Sequence, residues 1–163
     1  MCGGNDGALN DPRRFGALAV LNKAALHSAA LDALSEDLSG QIVLFNEQDH
    51  ASSWATHVKF TPVEPRRPDR DLVLNIACTG DLSIPWSQCH SLYQLNLSNT
   101  KDVGVCSARS VEFRLPQHLH LSVGDRGIIG RRVSISAAGA PNSHIAEGII
   151  GFNTASTAFL EQT

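Results

Sequence analysis

No apolar run in this sequence approaches the roughly 18 residues of a helical membrane span, so no membrane association is expected. A cationic excess is lacking too. The 13 Lys and Arg residues stand against 16 Asp and Glu, a formal net charge of -3, whereas a general nucleic-acid binder works through a basic domain. The opening "MCGGNDGALNDP" has neither a basic region nor an apolar core of the secretory kind, and a cytoplasmic chain is expected. The four cysteines, Cys2, Cys78, Cys89 and Cys106, form no C-x-x-C pair, which argues against a disulfide framework or a zinc ribbon. Reduced thiols follow, with Cys78 and Cys106 expected as small buried hydrophobes inside strand patterns. G-x-S-x-G, P-loop, H-E-x-x-H and G-x-G-x-x-G motifs are all missing, so no catalytic residue, metal site or cofactor is assigned.

What is present is an ordinary globular composition, 42% hydrophobic and 18% charged, enough for a single domain over 1–163 and unlike a disordered chain. Asp11 before Pro12 supplies a helix cap and Ser39-Gly40 a stop. Between them Leu18, Leu21, Ala25, Ser28, Leu31, Leu34 and Leu38 recur at three- and four-residue steps, which predicts an N-terminal amphipathic helix over 12–38. After Gly40 the period becomes two. Strands are predicted near 41–46, 53–62, 71–79, 90–97, 103–114, 118–123, 127–136 and 144–152. The fold class is therefore mainly β, within α+β. The helix precedes an antiparallel meander of about six to eight strands over 41–153, closed into a barrel or sandwich.

Three groups could carry chemistry. His118 and His120 share one face of a strand with side chains about 7 Å apart, a spacing compatible with a metal. His120-Leu121-Ser122 is similar to the His-x-Ser/Thr strand motif of two-histidine phosphoesterases, with His50-Ala51-Ser52 as a poorer second copy because its flanks are loop residues. Cys89 and His90 could join either histidine. "VGDRGIIGRR" has the spacing of a hairpin entered at Gly124-Asp125, and of the adjacent Arg131 and Arg132 only one can face the core.

The third group is the densest. Arg66, Arg67 and Arg70 lie in "EPRRPDR", stiffened by Pro65 and Pro68 at the entrance of a strand. Guanidinium forks suit phosphate oxygens and the O6/N7 edge of guanine. The plainer alternative pairs these arginines with Glu64, Asp69 and Asp71 on a solvated loop. Further along, "LNLSNTKDVGV" offers Asn96 and Ser98 at a strand end and, after a short loop, Gly104.

These segments resemble the PilZ domain, a six-stranded barrel that binds the bacterial second messenger cyclic di-GMP. That family carries Arg-x-x-x-Arg ahead of its first strand and an Asp/Asn-x-Ser-x-x-Gly motif downstream. "RRPDR" matches through Arg66 and Arg70, and "NLSNTK" through Asn96 and Ser98. Lys101 stands where the motif's glycine falls, and Gly104 takes that place if the turn is three residues longer. "LSVGDRGII", "GRRVSI" and "EGIIGF" are similar to the family's later landmarks, so the likeness spans about 66–153. The resemblance implies a ligand-sensing regulatory module of signalling, with Arg66, Arg67, Arg70, Asn96, Ser98 and Gly104 as ligand-binding residues. Two other readings compete with it. One is a hydrolase or metal-dependent enzyme using His118 and His120, and the other is a non-catalytic protein that docks a partner or self-associates through its helix or an open barrel edge.

Overall fold

Alternation of apolar and polar residues at period two, broken by Gly, Pro and Asn, produces nine strands among the described residues. The computed structural model describes residues 14–23, 39–49, 51–63, 71–97, 110–139 and 144–154. The strands are β1 (Arg14–Lys23), β2 (Gly40–Phe45), β3 (Trp54–Pro62), β4 (Leu72–Ala77), β5 (Ser91–Leu97), β6 (Val111–His120), β7 (Arg132–Ala137), β8 (His144–Ile149) and β9 (Gly151–Thr154). Their order is β5-β4-β7-β8-β1-β2-β3-β6, with β9 continuing β8 along the edge of β1. Every ladder is antiparallel, and β5 and β6 approach one another without forming one. The result is a nearly closed eight-stranded barrel.

The topology departs from a simple meander. β4 pairs with β7 although β5 and β6 lie between them in sequence, and β1 to β3 stand between β8 and β6. The wall is thus wider than the six strands that the PilZ resemblance implies. Alternate residues point inward, among them Leu44, Phe60, Leu74, Leu97, Phe113 and Ile135, and they form one apolar core. β4 is buried on both faces, which explains why "LVLNIA" reads as an almost unbroken apolar run.

The predicted helix over 12–38 is corrected by β1. Ala17, Ala19 and Leu21 are buried while Val20 is 57% exposed, a period of two rather than of three and four. Leu18 and Leu21, placed on one helical face by the sequence, lie on opposite faces of the strand. β1 gains ladders on both edges, to β2 on one side and to β8 and β9 on the other. Those inter-strand bonds and the buried face override a helical preference worth only tenths of a kcal/mol per residue. Gly16 marks the local reason. Its φ is +89, and an added Cβ would sit 2.0 Å from the Leu44 carbonyl oxygen. Residues 12, 13 and 24–38 of the expected helix lie outside the described residues.

Other boundaries shift for identifiable reasons. The two strands expected at 103–114 and 118–123 include one continuous strand, β6, that passes through Pro116. There the register slips from His57↔Arg114 to Ala55↔Leu119, and the proline, which cannot donate to a ladder, falls in the bulge. The expected 127–136 strand begins only at Arg132, because Gly124 to Gly130 are taken up by turns. Cys78 is exposed just past the end of β4, correcting its expected burial.

Candidate functional site

Two ends of the β5-β4-β7-β8 wall carry different chemistry. At one end β4 begins and β5 and β7 finish, with Leu72 paired to both Leu97 and Ala137. The Ala138 amide donates to the Asp71 carbonyl at 2.8 Å and closes that rim. Asn96 lies on β5 next to this pair, exposed, with Val73 as its partner. Arg66, Arg67, Arg70, Ser98 and Gly104 lie outside the described residues.

The outer face of this wall is unusual in being polar and buried. Directly opposed residues of antiparallel strands share a face, so Asn96, Val73 and Ser136 form one row, and Gln94, Asn75, Ser134, Glu147 and Asn22 the next. Asn75, Ser134 and Ser136 are all buried, although the barrel interior lies on the other side.

At the opposite end the same face carries Arg132, 1% exposed, beneath the loop that joins β4 to β5. Its Nε donates to Glu147 Oε2 at 2.9 Å, and its Nη2 donates to the same oxygen. Nη1 donates to the carbonyls of Asp81 and Ile84 and lies 3.5 Å from Cys89 Sγ. Trp86, from a single 3-10 turn at Trp86–Gln88, stacks on the guanidinium at 4.6 Å and donates its indole N–H to Glu147 Oε2 at 2.9 Å. A buried charge is tolerable only with such complete pairing. Hydrogen bonds from Ser83, first from its side chain and then from its backbone, hold the Asp81 carboxyl below its ordinary range; Arg132 adds to this and burial opposes it.

Arg131 serves the neighbouring turn. Its Nε donates to the Gly127 carbonyl at 2.6 Å, its Nη1 to the Cys78 carbonyl, and its Nη2 to Gly124 and Asp125 at 2.8 and 3.1 Å. Sequence reasoning noticed the adjacent arginines and missed the cluster. The available signal was the phase of Arg132-x-Ser134-x-Ser136, which sets all three on one face.

The two histidines of β6 have different surroundings. His118 is exposed, whereas His120 Nδ1 lies 2.6 Å from Ser122 Oγ and its ring is 4.6 Å from that of Trp54. His50 lies outside the described residues, and Cys89 turns to Arg132 rather than to a histidine. Among the described residues no group of three His, Cys, Asp or Glu side chains is arranged to hold a metal ion, and no helix is long and apolar enough to cross a membrane. In comparisons with known proteins, no family model matches the chain, and no curated protein matches it.

Proposed function

We propose that this chain is a ligand-sensing regulatory module that binds cyclic di-GMP through Arg66, Arg67, Arg70, Asn96, Ser98 and Gly104. The observation that supports this reading is the pairing of Leu72 with Leu97. Arg70 precedes Leu72 by two residues and Ser98 follows Leu97 directly, so the two halves of the motif meet the barrel at adjacent points of one rim. A ligand with two phosphates and two guanine edges offers those arginines paired, charge-assisted hydrogen bonds, each worth about 1.5 to 3 kcal/mol when shielded from water. Surface pairing with neighbouring carboxylates is worth less than about 1 kcal/mol. Titration calorimetry on the full chain tests the reading. Arg70→Ala should weaken cyclic di-GMP binding by about tenfold or more, and Arg70→Lys nearly as much, because the planar fork is lost. No heat at high micromolar nucleotide ends the reading.

One observation favours a second reading, a hydrolase acting through His120: the 2.6 Å approach of Ser122 Oγ to His120 Nδ1. Turnover of p-nitrophenyl esters or phosphodiesters that is lost in His120→Ala would support it. Turnover no faster than in buffer would reject it.

A further inference from the structure

We infer that Thr56 is the nucleophile of an acyl-transfer site on the outer face of the barrel, with His57 as its base and Glu47 as a positioning residue, and that the site takes small activated carboxylic esters. It depends neither on the cyclic di-GMP reading nor on His120. A break in alternation creates it. Adjacent residues of a regular strand point to opposite faces, but the register of β3 against β6 slips between Ala55 and His57. Ala55 and Val58 are both buried, so Thr56 and His57 stand together on the outer face, each partly exposed. Thr56 Oγ1 and His57 Nδ1 are 2.8 Å apart, and His57 Nε2 lies 3.4 Å from Oε2 of the exposed Glu47 beyond the end of β2. An ionised carboxylate only accepts, so in the neutral imidazole Nε2 carries the proton and Nδ1 turns its lone pair to the Thr56 hydroxyl. The Glu47 backbone N–H donates to Thr56 Oγ1 at 3.3 Å, which leaves the hydroxyl proton for Nδ1. Phe45, the cross-strand partner of His57, stacks on its ring with centroids 5.8 Å apart. Nucleophile, base and orienting carboxylate are thus in hydrogen-bond or ion-pair reach in the order that activates a hydroxyl.

The Thr56 proton passes to His57 Nδ1 as Oγ1 bonds to the ester carbonyl carbon. The C–O bond to the leaving alcohol then breaks, and that alcohol takes the proton from Nδ1. Water, deprotonated by the same nitrogen, next attacks the Thr56 ester and releases the carboxylic acid, returning the proton to Oγ1. Arg114, exposed opposite His57 on the same face, is the cation available there to a developing oxyanion.

The experiment mixes the full chain with p-nitrophenyl acetate, follows p-nitrophenolate release, and maps the acetylated residue by peptide mass spectrometry after an acid quench. Expected is acetyl on Thr56. Thr56→Val, which keeps the branched shape without the hydroxyl, should lose that adduct with a melting temperature within about 4 °C of the unmodified chain. Thr56→Ser should still be acetylated at residue 56. His57→Gln should slow acylation about a hundredfold or more, and Glu47→Gln should slow it with KM unchanged, a split that a merely structural carboxylate would not produce. No acetyl on Thr56, acetyl on Ser122 instead, or acylation as fast in His57→Gln as in the unmodified chain overturns the inference.

Discussion

Arg132 is a cation sealed from water, and its neighbours show what that requires. Glu147 neutralises it, two loop carbonyls take its Nη1 protons, and Trp86 covers its face. Removing one partner of a buried pair strands the other charge. Arg132→Ala should therefore cost about 3 to 5 kcal/mol in urea unfolding, whereas the double replacement Arg132→Met with Glu147→Leu should recover most of that loss. A double variant as unstable as the single one would show that the carbonyl and indole bonds, not the charges, hold the loop. At this scale the sequence was half legible. Alternation in "RRVSISA" sets Arg132, Ser134 and Ser136 on one face, but nothing in the string says that the loop after β4, which precedes Arg132 by 48 and 51 residues at its contacts, folds over it. Asn96 was legible as a strand-end residue, and the structure shows it exposed. Cys78 was misjudged because the strand pattern stops one residue before it.

Elements were easier to find than to classify. "FGALAVLNK" contains apolar residues at spacings of two, three and four, so it satisfies helix and strand templates together. The isolated glycine was the discriminating signal, since a glycine within a strand often marks a bulge or a close backbone approach. Gly16→Ala should cost about 1 to 3 kcal/mol, read as a lowered urea midpoint, because φ of +89 and the Leu44 carbonyl both oppose a side chain. A loss below about 0.5 kcal/mol would place the bend elsewhere. Strands flanked by turn residues, such as β2 and β3, fell close to their predicted spans, while β6 runs unbroken from Val111 to His120 where the sequence predicted one strand ending at 114 and another starting at 118.

The Asp81–His90 loop adds a pH dependence at the same scale. The Asp81 carboxyl is lowered from its ordinary 3.8, so its ionised form is favoured in the folded loop. The stabilisation is complete above that ordinary value and is lost as pH falls through the lower folded one. In a Trp54→Phe variant the emission of Trp86 should stay constant down to about pH 4 and shift below it. Asp81→Asn should abolish the step, and a step that persists would assign it to another carboxyl.

For the whole molecule, a β-rich barrel was legible because local alternation and turn spacing encode it. Strand order was not, since β4 joins β7 and β1 joins β8 through pairings that no local pattern announces. The proposed site was read only as two sequence segments; the pairing of Leu72 with Leu97 is a property of the nearly closed wall. The buried polar outer face was not legible either, because it depends on what lies across it.

The place of β1 between β2 and β8 has a consequence in time. β2 emerges soon after β1 during synthesis, but Glu147, the partner of Asn22, follows roughly 125 residues later, a separation typical of slow-folding, non-local topologies. At about 5 to 20 residues per second, one edge of β1 waits many seconds on the ribosome with its amides and carbonyls open to other strands. Until β8 arrives the growing chain is an unfinished sheet, and the interval is one in which a holding chaperone would matter more than any contact in the finished barrel.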